Sequence, residues 1–142
     1  MREEEYRLSL FGREQLRFRY ESVGLESLSA SEYVERGPLG AALSALMDRA
    51  SVEDVLRLRA SMFKEIVESE LDGERKFLLM NVVETYFKLD AEQNKGFRRL
   101  LPRKVYAKMQ DVESTWADQF EERGRARGRE EGREEGRHVG QI

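Results

Sequence analysis

The sequence predicts a mainly α-helical protein: a short N-terminal β-hairpin, then a compact helical bundle, then a long C-terminal helix with a glycine-repeat tail. Three observations predict this order. Apolar and polar residues alternate near the N-terminus, apolar residues recur at helical spacing from Leu28 onward, and glycine returns every fourth residue near the C-terminus. Alternation is typical of a strand with one buried face, whereas spacings of three and four are typical of an amphipathic helix. We divide the chain into a hairpin (1–27), a helical domain (28–101), an amphipathic helix (102–123) and a tail (124–142) that is either helical or disordered.

The hairpin is predicted from two alternating segments. Apolar side chains fall on even positions in the segment 6–10, and the same alternation runs through 16–21. Gly12 and the polar residues up to Gln15 are typical of a connecting loop. Because an isolated two-stranded hairpin is only marginally stable in water, its apolar face must rest on the helices that follow or on strands that this chain does not contain. The hairpin is therefore a first indication of a fragment of a larger sheet.

The first two helices of the domain 28–101 are predicted from their end signals. Ser29 and Glu32 form a capping-box pattern at the start of the first helix. Gly37 and Pro38 end that helix and begin the second, since proline is tolerated in a first helical turn. The second helix carries a narrow apolar stripe of Leu39, Leu43, Leu46 and Met47.

Three further helices follow in the same domain. Ser51 begins the third helix, which has a broad apolar face made of Val55, Leu56, Leu58, Met62, Phe63, Ile66 and Val67. The fourth begins after Asp72-Gly73 and is apolar enough to lie at the centre of the core, with Phe77, Leu78, Met80, Val82, Val83, Tyr86, Phe87 and Leu89. Asp90 is predicted to cap a fifth helix that ends near Leu101, just before a proline.

The last helix is predicted to begin near Arg103, and glycine continues its apolar stripe into the tail. Each glycine in a helix interior costs about 0.8–1 kcal/mol relative to alanine, so the tail alone is a poor helix. Three interpretations stay open: a frayed, solvated end, helical self-association as a homodimer, and a docking segment for another protein. The residues predicted to mediate self-association are Val112, Trp116, Phe120, Gly124, Gly128, Gly132 and Gly136.

The composition excludes several classes of protein. The 25 Lys and Arg nearly balance 28 Asp and Glu, for a net charge of -3, which excludes a globally basic nucleic-acid binder. There is no cysteine, hence no disulfide framework and no thiolate site. No apolar run approaches the ~18 residues of a membrane helix, and the acidic start does not fit a secretory signal. We therefore expect a cytoplasmic protein without a membrane partner.

No motif in the sequence predicts catalysis, a metal site or a cofactor site. The one histidine, His138, lies in the glycine tail, where nothing would orient it as a base. Phosphate-binding glycine loops and a GxSxG motif are absent. Glu74-Arg75-Lys76 matches the (D/E)xK tripeptide of metal-dependent nucleases, but it falls in the first turn of a predicted helix. We expect no enzyme activity, no cofactor and no small-molecule substrate.

A cluster of basic residues between positions 95 and 108 is a candidate for weak DNA contact. Its members are Lys95, Arg98, Arg99, Arg103, Lys104 and Lys108, with Phe97 and Tyr106 interleaved. Such a cluster can neutralise phosphates, and aromatic rings can stack on unpaired bases. The alternative is that the aromatic residues belong to the core and the charges are the solvated face of two helices. Arg17 and Arg19 share one face of a strand and could extend the cluster.

The order of these segments resembles the Rpn-like recombination-promoting nuclease/putative transposase family. The resemblance lies in the segments 11–20, 25–33, 37–47 and 84–89 and in the Gly-Arg-Glu-Glu tail. It implies a relative that lacks the PD-(D/E)xK catalytic part, which full-length members carry upstream of this region. The leading interpretation is a non-catalytic remnant. The alternatives are the C-terminal part of a split nuclease whose metal site is on another chain, and an adaptor resembling flagellar assembly protein H, whose glycine repeats the tail resembles.

Overall fold

The computed structural model describes residues 1–140 and consists of a two-stranded hairpin followed by helices. Strands β1 (Arg2–Leu10) and β2 (Arg13–Ser22) pair antiparallel. A single 3₁₀ turn (Leu25–Ser27) leads into six helices: α1 (Ala30–Tyr33), α2 (Gly37–Ser44), α3 (Val55–Val67), α4 (Gly73–Tyr86), α5 (Ala91–Leu100) and α6 (Arg103–Val139). The predicted fold class, with its long C-terminal helix, is confirmed.

The hairpin turn is tighter than the loop predicted over 12–15. Phe11 and Gly12 both have positive φ, 53° and 72°, which is the backbone of a two-residue type I′ turn. Strand β2 therefore begins at Arg13, and Gln15 is accommodated as a bulge at the register shift next to Leu8. The prediction of a longer loop was wrong because a bulge can absorb the extra polar residue inside the strand.

Helices α1 and α2 differ from their predicted details. The capping box at Ser29 is wrong, since the Ser29 hydroxyl lies 3.0 Å from that of Ser31 and caps no backbone N–H. In α2 and just after it, the structure buries Ala41, Ala42, Ser44 and Ala45 and leaves Leu39 largely exposed. Of the predicted stripe, Leu43 packs against the core and Met47 is buried, although Met47 lies after the end of α2. The buried residues within α2 itself are Ala41, Ala42 and Ser44, whose short side chains suit close packing against α3.

The core is centred on α3 and not on α4. Helix α3 contacts α2, α4, α5 and α6 and buries Leu58, Met62, Phe63, Ile66 and Val67. Helix α4 buries only Met80 and Val83, while Leu78 and Tyr86 are exposed. The apolar residues of α4 are distributed around its whole circumference, so no packing can place all of them inside.

Aspartate side chains cap the N-termini of three helices. Asp54 and Asp72 accept hydrogen bonds from the backbone N–H groups at the starts of α3 and α4. Asp90 and Gln93 form a full capping box at the start of α5, with N···O distances of 2.8 and 3.1 Å. The predicted Asp90 cap is confirmed, whereas α3 begins at Val55 and not at Ser51.

Helix α6 begins at Arg103 as predicted and crosses the body, where Val105, Met109 and Val112 are buried. It then continues to Val139.

Candidate interaction surfaces

The hairpin presents an uncovered apolar face. In the strand register Tyr6 pairs with Phe18 and Leu8 pairs with Leu16, so these side chains share one face. The apolar side chains of this face are all exposed in the structure, Phe18 to 57%: Tyr6, Leu8, Leu10, Leu16, Phe18 and Tyr20. The helices of residues 25–140 therefore do not cover the face. The prediction that the apolar face of the hairpin rests on the helices that follow is wrong. An exposed apolar patch of this kind marks an interaction site.

The opposite face of the hairpin is charged and paired within itself. Arg7 and Arg17 approach Glu5 at 2.9 and 3.3 Å, and Arg17 also contacts Glu14 at 2.9 Å. The hydrogen bond from Arg7 holds the pKa of Glu5 below its usual value, and the one from Arg17 does the same for the pKa of Glu14. Arg19 lies 3.9 Å from Glu5 in the same network. This is a solvated face, and it places Arg17 and Arg19 among carboxylates and not in an extended basic cluster.

The first part of the predicted self-association stripe contacts the body of the same chain. Trp116 packs on the start of α4, where a Cβ added to Gly73 would clash with the indole nitrogen. Phe120 stacks on Phe77 with ring centroids 5.2 Å apart, and Val112 is buried. These three side chains of α6 are occupied by intramolecular packing.

The second part of the stripe projects from the body. Arg123 makes an ion pair with Glu74 at 2.8 Å, and from Gly124 onward every described residue is exposed. We call the segment 124–139 the projecting half of α6. Among the described residues, apart from the neighbouring backbone of α6 itself, no atom lies within 4 Å of a Cβ built on Gly124, Gly128, Gly132 or Gly136. The glycine stripe is therefore open along the projecting half.

The predicted basic cluster spans the end of α5 and the start of α6, and its six cations are exposed: Lys95, Arg98, Arg99, Arg103, Lys104 and Lys108. Within residues 1–140, Lys95 is the one member with an ion pair, at 3.8 Å from Glu92. Phe97 is buried and tilted against Phe63 at 5.7 Å, so it belongs to the core. The hydroxyl of Tyr106 accepts a hydrogen bond from Gln110. The structure leaves the charges available and removes Phe97 from base stacking.

A buried arginine that the sequence analysis missed organises the centre of the bundle. Arg59 is 2% exposed, and its guanidinium lies over the rings of Phe63, Phe87 and Phe97 at 4.5–5.9 Å. It donates to the Phe87 carbonyl at 3.1 Å and to the Glu84 carboxylate at 2.9 Å. Burial lowers the pKa of Arg59, and the carboxylate opposes that effect. The one signal in the sequence for the burial of Arg59 was its position within the apolar face of α3.

A cavity of about 220 Å³ lies beside Arg59 and is lined on one side by Arg98, Gln110 and Glu113. Burial, and secondarily the charge of Glu84, raise the pKa of Glu113. The cavity therefore carries both signs of charge. Among its lining residues, Arg59 and Glu84 join α3 to α4 by a hydrogen-bonded ion pair.

The residues considered for catalysis do not assemble into a site. Glu74 faces Arg123 at the start of α4, and His138 lies exposed in the projecting half of α6. Residues 1–140 hold no group of three or more histidine or acidic side chains placed to bind a metal ion. None of the helices in the same residues combines the length and apolar character needed to span a bilayer.

Comparisons with protein-family models, with curated proteins and with solved structures give no match to this chain.

Proposed function

We propose that this protein is a non-catalytic interaction module, a remnant of an Rpn-like nuclease, that self-associates through the projecting half of α6. The observation that carries the proposal is the open glycine stripe on a helix that runs on past its last ion pair with the body. The segment 124–139 is about 24 Å long at 1.5 Å per residue. A second helix can lie along it without contacting the bundle.

The energetics of the projecting half favour a partner. Its four interior glycines cost about 4 kcal/mol relative to alanine, whereas exposed pairs such as Arg125 with Glu121 return about 0.2–0.5 kcal/mol each. Glycine at every fourth position lets a second backbone approach closely, and the close contact offsets the cost of the glycines.

The spacing also predicts the crossing geometry. Four residues turn a helix through about 400°, so each glycine is rotated by about 40° from the one before. The stripe therefore winds around α6, and a straight partner can contact only two or three consecutive glycines. We expect a right-handed crossing of the GxxxG type, at about −40°, centred on Gly128 and Gly132.

The test adds a large side chain on and off the stripe. Gly128→Leu improves helix propensity and blocks close approach, whereas Ala126→Leu places the same side chain on another side of the helix. We expect sedimentation velocity to show concentration-dependent association for the parent protein and for Ala126→Leu, and a loss of at least tenfold in affinity for Gly128→Leu. Equal behaviour of the two variants would contradict the proposal.

The non-catalytic part of the proposal has a separate test. Purified protein incubated with supercoiled DNA and Mg²⁺ should produce no nicked product. Nicking that a chelator abolishes would contradict this part and favour the split-nuclease alternative.

Weak DNA contact is a second candidate function, supported by the exposed basic cluster. The triple variant Arg99→Gln, Arg103→Gln, Lys104→Gln should weaken binding to a labelled duplex in fluorescence anisotropy. The slope of the logarithm of the binding constant against the logarithm of the salt concentration should also become shallower. The expected change is about 0.9 for each phosphate that the variant no longer neutralises. The control is Arg127→Gln, Arg133→Gln, Arg137→Gln, which removes the same charge from the projecting half.

A further inference from the structure

Three rows of side chains accompany the glycine stripe along the projecting half of α6. Residues that follow the glycines form one row and residues that precede them form another, each turned by about 100° from the neighbouring glycine, to opposite sides of it. The following row, which we call the arginine row, consists of Arg125, Arg129, Arg133 and Arg137. The preceding row, which we call the mixed row, consists of Arg127, Glu131, Glu135 and Val139. The third row lies opposite the stripe and consists of Ala126, Glu130, Glu134 and His138.

Most charges of these rows have no ion-pair partner within residues 1–140. In that part of the chain, Arg125 is the one charged residue of the projecting half with an ion pair, which it makes with Glu121. Arg123, just before the projecting half, pairs with Glu74. The two rows beside the stripe can therefore pair with the charges of another helix.

We infer that the two copies of α6 lie parallel in the self-association proposed above, on which this inference rests. In a symmetric parallel pair of helices, the row on one side of the stripe faces the row on the other side of the partner's stripe. In an antiparallel pair, each row faces its own copy. The arginine row therefore meets the mixed row in a parallel pair and a second arginine row in an antiparallel one.

Charge distinguishes the two arrangements. In the parallel pair, Glu131 of one copy lies between Arg129 and Arg133 of the other, and the two-fold axis repeats this contact. Repulsion is limited to Arg127, which faces arginines. In the antiparallel pair the arginine row opposes itself over its whole length, and attraction is limited to the contacts of Arg127 with the acidic end of the mixed row. Attraction between the rows thus exceeds repulsion only in the parallel pair.

The winding of the stripe leaves room for both bodies. Glu130 lies 18 residues after Val112, which is about five full turns of the helix, so both side chains point to the same side. Val112 is buried against the body, and Glu130 lies opposite the stripe. The stripe between Gly128 and Gly132 therefore faces away from the body. In a parallel pair the two bodies lie on the outer sides of the two helices.

Two charge reversals, one in each row, distinguish the arrangements by the direction of their effects. Arg127→Glu and Arg133→Glu change the net charge by the same amount, so each is the control for the other. In a parallel pair the new carboxylate of Arg127→Glu meets the arginine row and should tighten self-association at least threefold. The new carboxylate of Arg133→Glu opposes Glu131 and Glu135 and should weaken it at least threefold. An antiparallel pair requires the opposite direction for both variants.

Sedimentation velocity at low ionic strength measures these effects, and circular dichroism checks that each variant remains helical. A distance measurement tests the orientation directly. The chain has no cysteine, so Val139→Cys provides a single site for a nitroxide spin label. For helices that cross near position 130, a parallel pair places the two labels roughly 10–15 Å apart, whereas an antiparallel pair separates them by about 27 Å along the axis. We expect electron paramagnetic resonance to show the shorter distance.

The outcomes distinguish a wrong orientation from a failure to self-associate. A parent protein that stays monomeric in sedimentation velocity would contradict self-association itself, and with it the parallel pair. A parent protein that associates, while Arg127→Glu weakens association and Arg133→Glu strengthens it, would overturn the parallel arrangement alone. Equal effects of the two variants, or the longer distance between the labels, would overturn it as well.

Discussion

The hairpin and the helical bundle use apolar residues in opposite ways. Phe63 in α3 is fully buried, with 0% exposure, whereas Phe18 in β2 remains 57% exposed. Both side chains lie on a continuous apolar face, and in the bundle that face meets other helices of the chain. The difference teaches that amphipathic periodicity identifies a face to be buried without identifying what buries it.

The largest expected effect contrasts these two phenylalanines. Phe63→Ala removes a fully buried ring and should lower the free energy of unfolding by about 3–5 kcal/mol. Phe18→Ala removes a ring that is mostly in water, and at concentrations where the protein is monomeric it should cost less than about 1 kcal/mol. Urea unfolding followed by circular dichroism at 222 nm measures both. Similar costs would mean that the hairpin face is covered within one chain.

A second prediction concerns the buried guanidinium. Arg59→Ala leaves a cavity among three aromatic rings and removes the ion pair to Glu84. Because Glu84 is half exposed and stays solvated, we expect a loss of about 2–3 kcal/mol, below the 3–5 kcal/mol of a fully buried pair. The control is Arg57→Ala, an exposed residue of the same helix, which should cost at most about 0.5 kcal/mol. Equal losses would show that the aromatic cage adds nothing.

Two glycines sharpen the contrast between the attached and the projecting parts of α6. Gly73→Ala would force Trp116 away from α4 and should destabilise the protein by about 1–3 kcal/mol. A Cβ at Gly132 meets no atom within 4 Å beyond the neighbouring backbone of α6, so Gly132→Ala should instead stabilise the helix by about 1 kcal/mol at concentrations where the protein is monomeric. Thermal unfolding reports the first change, and helical ellipticity at 222 nm reports the second. A stabilising Gly73→Ala would show that Trp116 does not pack there.

The sequence predicted those features that local signals determine. The Asp90 cap, the start of α6 and the apolar face of α3 each depend on a few neighbouring residues. The sequence did not predict that the core is centred on α3, because α4 is just as apolar. Which helix is central depends on how many other helices surround it. The uncovered hairpin face follows from the absence of tertiary contacts within residues 1–140, which no local pattern encodes.

The sequence also predicted only part of the candidate surfaces. The exposed cations and the glycine stripe are visible in the sequence, since spacing alone defines them. Val112, Trp116 and Phe120 continue the same stripe, yet their contacts with the body depend on the angle at which α6 crosses α4. Arg59 was missed because a charged residue is assigned to the surface unless a buried partner is known.

The smallest expected effect concerns the pH dependence of the bundle. The pKa of Glu113 is raised in the folded state, mainly by burial. Between the unfolded-state pKa, about 4.3, and that raised value, the native state binds more protons, so this group's contribution to stability falls as pH rises. Glu113→Gln removes the penalty and should stabilise the protein at pH 7 by less than about 0.5 kcal/mol, with the gain shrinking toward pH 4. Urea unfolding at both pH values measures it, with Glu122→Gln, a residue of the same helix that does not line the cavity, as the control. A gain of the same size at both pH values, or in the control, would mean that the folded state does not raise the pKa of Glu113.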